Sequence, residues 1–307
     1  MLETLLSVIP IFGLVMTGFV AKRLLPSNDL WKGIEALVYY LFFPILLILE
    51  VSKANFSEPG LWGGLMAAFI ATIIIAIALF PMKRIFNIEN TLFTSIFQGS
   101  VRYNSYVFLA LSQSLFGSSG IVIAGVFMAY MIIVINILSI SVLNVYGSNQ
   151  SGKKSFGGII IALFKNPLIV GVLIGIAANL LNISISGPFK QWMLYLGNTA
   201  TPLSLMSVGA GLILVMDRKK TSGVCLALIL KLLVTPLLTI SLLSLFNITG
   251  LPAAIALLFG TMPSAGNAYI LSRQMGGDSD AMASMITWST LLSIITIPII
   301  MGGFGFS

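Results

Sequence analysis

Apolar stretches of about 20 residues, most of them free of charge, recur along this 307-residue chain, and each has the length of a helix that crosses a bilayer. In hydrocarbon every backbone N–H and C=O has to be paired within the protein, which leaves helices or closed barrels as the spanning structures. The ten-residue alternation of a membrane barrel is missing, so the chain reads as an all-α integral membrane protein. Composition agrees: hydrophobic residues make up 58% of the chain and charged ones 8%, a balance that no water-exposed surface of this size sustains.

The same composition excludes several functions. There is no histidine, which removes the commonest proton shuttle and the usual base of a Ser-His or Cys-His enzyme. No pair of Asp or Glu falls at membrane depth, so no acid–base or metal site is recognisable and the chain does not read as an enzyme. A single cysteine, Cys225, rules out an intrachain disulfide. The net charge of +7 sits in short loops, where it reports topology and not nucleic-acid binding. The first apolar run carries Glu3 and follows no cationic segment, so it reads as a retained span and not as a cleaved signal.

Ten spans are predicted, beginning with about 3–22, about 33–52 with a kink near Phe43-Pro44, and about 61–81. The fourth, about 91–115, is interrupted by Gln98-Gly-Ser-Val-Arg-Tyr-Asn-Ser-Tyr106, where Gly99 loosens the helix and Ser100, Arg102 and Asn104 bring polar groups to a depth without water. The fifth runs about 120–145 and contains Asn136. A polar linker at 146–164, with a surface helix expected over 156–164, joins a first repeat at 1–145 to a second at 165–307. The sixth span opens at Asn166-Pro167, and the seventh carries Pro202 and the small-residue run Ser207-Val-Gly-Ala-Gly211, suited to close helix packing. The eighth contains Lys231 and Pro236. The ninth is broken by Met262-Pro-Ser-Ala-Gly-Asn-Ala-Tyr269, and the tenth has Ser289, Ser293 and Thr296 at helical spacing.

An internal repeat is visible in register. Pro10, Val15, Gly18, Ala21 and Leu24 recur 157 residues later as Pro167, Val172, Gly175, Ala178 and Leu181, and the Asn-x-Tyr of the first break recurs 163 residues later in the second. Five is odd, so the second repeat enters from the opposite face and the two are inverted. Discontinuous helices in corresponding positions of inverted repeats mark a transporter's binding site near the midplane. Of the 16 Lys and Arg residues, twelve fall on one set of alternate loops and two on the other, which puts the first set and the linker in the cytoplasm and both termini outside.

These motifs resemble the auxin efflux carrier family, in its bacterial malate and malonate permease-like branch, with a fold related to the bile acid sodium symporters. Arg102-Tyr-Asn-Ser-Tyr106, Lys165-Asn-Pro-Leu168, Pro202-Leu-Ser-Leu, Ser207 to Gly211, Lys231 and Met262 to Tyr269 carry the resemblance over nearly the whole chain. It implies ten spans, with spans four and nine crossing at their breaks, and a transport portion that moves like an elevator against a scaffold. It implies a secondary carrier of small organic anions, either mono- or dicarboxylates such as malate and malonate or auxin-like acids, in the bacterial inner membrane. By motif, Asn104 and Asn267 inherit the place beside the substrate carboxylate. Plant members have proline where this chain has Gly99 and Arg102, so the resemblance does not by itself imply their indole-acid specificity.

The candidate substrate-binding residues are therefore Arg102, Asn104, Tyr106, Ser264, Asn267 and Tyr269. Arg102 either neutralises an anion or caps the carbonyls of the half-helix that ends beside it. Asn104 and Asn267 either bind substrate or join helices, and Tyr106 and Tyr269 either wall the cavity or pack. Lys231 lies about 15 Å deep by the helical rise and needs a partner, with Glu50 the nearest carboxylate. Asn136, Ser289 and Ser293 either help to hold a sodium ion or make interhelical hydrogen bonds. No cofactor or metal is expected, coupling to H+ or Na+ is admitted, and the partners are a small organic anion and the bilayer, with a homodimer admitted. An anion channel or a binding-only membrane sensor is the rival function.

Overall fold

The computed structural model describes residues 2–53, 58–149, 166–214 and 217–304, and these are helical with short connections. The first helices are α1 (Leu2–Leu24), α2 (Asn28–Val51), α3 (Leu61–Ile85), α4 (Asn90–Val101) and α5 (Ser105–Tyr146). After the linker come α6 (Pro167–Leu180), α7 (Gly187–Ala210), α8 (Arg218–Leu245), α9 (Gly250–Thr261), α10 (Asn267–Met275) and α11 (Ser279–Gly303). The surface helix expected over 156–164 lies outside the described residues.

Among the described residues, five helical stretches are long and apolar enough to cross a membrane by themselves. Ten were expected, and the helix lengths depart from one span each. Asn90–Tyr146 is one such stretch of 57 residues, about 85 Å at the helical rise and nearly three times a hydrocarbon core. It is divided twice, by extended backbone at Arg102 and Asn104 and by Gly117 at φ 62°, ψ −151°. At the other extreme, α6 and α9 have only 14 and 12 residues.

Helices α1, α2, α6 and α7 form one body, α1 packing on α7 and α2 on both α6 and α7. Helices α3, α4, α5, α8, α9, α10 and α11 form a second, in which α3 lies against α8 and α9 while α11 lies against α4 and α9; the two share a core, since α5 also packs on α1, α2, α6 and α7 and α11 on α1. Lipid is as apolar as leucine, so association between the helices rests on close packing. Glycine provides it at α1–α7: a Cβ on Gly18 would overlap the Met206 backbone, and one on Gly209 the Val15 backbone. Gly175, the 157-residue partner of Gly18, makes the corresponding approach from α6 to α2, where a Cβ would stand 2.8 Å from Val51 Cβ. Glycines 157 residues apart thus seat the α1–α7 and α6–α2 pairs.

A second correspondence escapes the motif search. Phe86-Asn87-Ile88 ends α3 and Phe246-Asn247-Ile248 ends α8, with both asparagines left-handed, at φ 47° and 52°. Ile88 N–H donates to Lys83 C=O at 3.0 Å and Ile248 N–H to Leu243 C=O at 2.9 Å, so the same six-residue C-terminal cap is built 160 residues apart; it is also built at the end of α6, where Asn182 has φ 51° and Ile183 N–H donates to Ala178 C=O at 2.8 Å.

Two helices contain a widened π turn, at Val38–Phe42 in α2 and at Leu230–Val234 in α8. Each is followed within two residues by proline, Pro44 or Pro236, whose missing N–H and bulky ring disfavour the ordinary i to i−4 bond. The kink expected near Phe43-Pro44 is this feature. In α8 the same device sets Lys231 inside the widened turn.

Candidate functional site

The two interruptions meet. Asn104 N–H donates to Pro263 C=O at 2.8 Å, so the extended segment between α4 and α5 lies against the one between α9 and α10. Ser264 reinforces the crossing from both sides: its hydroxyl donates to Gly99 C=O at 2.7 Å, and its N–H donates to Ser289 Oγ on α11 at 3.0 Å. Four half-helix ends converge here. The C-termini of α4 and α9 bring partial negative charge, and the N-termini of α5 and α10 partial positive charge.

Gly99 plays a different part from the loosening expected of it. Helix α4 continues through it to Val101, and the break starts at Arg102. A Cβ at Gly99 would stand 2.6 Å from Met285 Sδ, so α4 passes close to α11 at this glycine and a larger residue would have to displace the methionine side chain.

Asn104 caps the second half-helix, its Oδ1 accepting from Tyr106 N–H at 3.1 Å and from Val107 N–H at 3.2 Å. This commits its oxygen and leaves the amide N–H groups as what it has to offer a ligand. Asn267 is the first residue of α10; it and Gly266 are exposed, whereas Arg102, Asn104 and Ser264 are buried.

Arg102 lies at the junction of the two breaks. Its Nη2 donates to Asn136 Oδ1 at 3.0 Å and reaches Asn267 Oδ1 at 3.4 Å, while Nε and Nη1 are buried without a hydrogen-bond partner among the described residues. It bonds to two side-chain oxygens and not to the carbonyls that end α4, so the capping alternative is not what the geometry displays. Two buried guanidinium donors without a partner are hydrogen-bonding capacity that an anion can take up, and either of them shares a fork-shaped edge with the Nη2 that already meets Asn136 and Asn267.

The remaining candidates divide. Asn136, through Arg102, and Ser289, through Ser264, join the crossing. Ser293 instead bonds within its own helix, to Thr290 C=O at 2.7 Å. Tyr106 is half-buried and stacks on Phe43 of the first body. Tyr269, also half-buried, packs in the second body with the cluster around Phe93 and Phe97. Lys231 is 1% exposed, with Nζ 5.9 Å from the Phe259 ring centroid. Glu50, the carboxylate nearest to it in the sequence reading, is taken by Lys53 at 3.5 Å.

Two residues that sequence reasoning passed over belong here. Tyr103, inside the first break, packs on Phe259 at 4.5 Å and edge-on to Phe108 at 5.8 Å, its hydroxyl buried without a partner among the described residues. Gln98 bridges α4 to α10 by donating to Ser272 Oγ at 2.8 Å. Position between Arg102 and Asn104 was the available signal for Tyr103, but an aromatic in an apolar segment does not announce itself.

Comparison with known proteins gives a concordant result. A family model described as "Membrane transport protein" matches residues 4–301. A protein of Rhizobium meliloti (strain 1021), named "Putative malonate transporter", is 23% identical over 296 residues, 94% of this chain and 92% of that protein. An "Uncharacterized transporter" of Methanothermobacter thermautotrophicus is 31% identical over 140 residues, 45% of each chain.

Proposed function

This chain belongs to the membrane transport protein family, that of the auxin efflux carriers, and on that premise we propose that it is a secondary carrier of small organic carboxylates that binds them where its two broken helices cross. It is a membrane transporter and not an enzyme. Ten spans in two inverted five-helix repeats accommodate the paired glycine seats and the two breaks that meet. The charge count orients them with both termini outside and the linker in the cytoplasm, in the bacterial inner membrane.

The observation that carries this reading is Arg102, tied by one nitrogen to Asn136 and Asn267 and left with two buried donors at the junction of the breaks. The Asn104 amide and the positive end of α5 lie beside it. In this reading the body containing the crossing moves as a unit against α1, α2, α6 and α7, an elevator motion. The matched relative named for malonate favours short dicarboxylates. A thermal-shift screen of small carboxylates against purified protein tests the binding half. A ligand at a hundred times its dissociation constant stabilises by about 2.7 kcal/mol, and malonate or malate is expected to do so while the matching diamides do not. A screen in which no carboxylate shifts the transition contradicts the proposal.

A further inference from the structure

Among the described residues three charged side chains are buried: Glu50, Arg102 and Lys231. Glu50 is in α2, in the first body, and pairs with Lys53. The second body therefore has two buried cations and no buried carboxylate among the described residues. The other ion pairs, Lys32 with Asp29 and Lys220 with Asp278 and Asp280, leave both cations unpaired.

Lys231 is buried within an apolar helix, and a lone charge there is costly enough to need a purpose. The segments packed around it offer no acid: Gly250–Thr261 has no titratable residue, nor has α11 beyond Asp280 at its start. Its neighbour is the face of Phe259, which is a weak partner for an ammonium and holds Tyr103 on its other contacts. Tyr103, on that same ring, is the residue next to Arg102. The half-helix ends do not change the sum, since two positive and two negative ends meet at the crossing.

We propose that Lys231 is a fixed counter-charge. With Arg102 it gives the second body two buried positive charges, which match a doubly ionised dicarboxylate, so that a dianion crosses with no net buried charge and no co-transported cation. This rests on the carrier reading above and extends it. Arg102 touches the substrate, and Lys231 acts on it only through the field. The loaded carrier then moves no charge, the empty carrier moves two, and a carrier loaded with a monoanion moves one.

The test is self-exchange of labelled substrate by the wild-type protein in proteoliposomes, at a pH where malonate is doubly ionised. The potential is set with a potassium gradient and valinomycin. Malonate exchange is expected to change less than twofold between 0 and −100 mV. Exchange of malonate's monoamide, a monoanion of similar size, is expected to change by up to about fifty-fold, since one charge across 100 mV is worth about 2.3 kcal/mol. Lys231→Gln should invert the pattern, and Lys231→Arg should restore it. Malonate exchange as voltage-dependent as that of the monoamide overturns the counter-charge while leaving the carrier, and so does a Lys231→Gln protein whose malonate exchange stays insensitive. If Lys231→Gln does not fold, the wild-type comparison decides alone. A wild-type protein that exchanges neither compound overturns the carrier reading and this inference with it.

Discussion

The ring of Phe43 in α2 lies parallel to that of Tyr106 in α5, with centroids 5.1 Å apart and planes 3° from parallel. The two rings belong to different bodies, and Tyr106 follows the cap Asn104 by two residues, so the stack ties the crossing directly to the helices against which it is proposed to move. Phe43 is fully buried, so the stack is inside the seam and not on the lipid face.

A disulfide across this seam should stop transport without stopping binding. In a Cys225→Ser background, Phe43→Cys with Tyr106→Cys is expected, once oxidised, to lose at least about tenfold in uptake, to keep a carboxylate-induced thermal shift, and to recover on reduction. Full-rate uptake by the oxidised protein would show that the two bodies need not slide here.

Asn104 has two jobs that different substitutions separate. Asn104→Asp keeps an oxygen to cap α5 but replaces the amide donors with a negative charge, so the folded protein should survive and carboxylate affinity fall by more than about tenfold. Asn104→Ala loses the cap as well, at about 1 kcal/mol of stability. Titration of the purified variants with malonate checks both, and unchanged affinity in Asn104→Asp would leave the residue with the cap alone.

Arg102 should tolerate no replacement. Lysine keeps the charge but not the fork, and a hydrogen bond to a charged group contributes about 1.5–3 kcal/mol. Arg102→Lys is thus expected to bind malonate about ten- to a hundredfold more weakly, with Arg102→Gln weaker still, while any binding of a neutral diamide is unaffected by either. Equal loss for charged and neutral ligands would make the arginine a structural support.

Much of this was legible in the sequence, because the constraints there are severe. Gly18 and Gly175 stood out since nothing larger fits their helix contacts, and the two breaks stood out since arginine, asparagine and proline are expensive in hydrocarbon. The polar partners were less legible. That Arg102 reaches Asn136, 34 residues on, and Asn267, 165 residues on, depends on how the repeats cross. Periodicity cannot show it. Gly99 is less legible because a glycine in a helix signals either a break or a close neighbour, and here the helix runs two residues past it while Met285 lies alongside. Phe43 and Tyr103 were invisible as functional positions, being aromatics among many.

Topology can be checked at two exposed sites, Ser184 before α7 and Lys219 at the start of α8. In a Cys225→Ser background and sealed right-side-out vesicles, Ser184→Cys should react with an impermeant maleimide and Lys219→Cys only after permeabilisation. The opposite pattern would reverse the orientation, and equal reaction of both would undo the ten-span count.

The central claim is that the crossing carries a small carboxylate from one side of the membrane to the other. Counterflow tests it most directly: proteoliposomes loaded with unlabelled malonate are diluted into a trace of labelled malonate, and accumulation is followed for wild type and Arg102→Gln. The account predicts transient accumulation above the outside concentration for wild type and none for Arg102→Gln. Label that only equilibrates would indicate a channel, and label that does not enter a binding protein; either result contradicts the account.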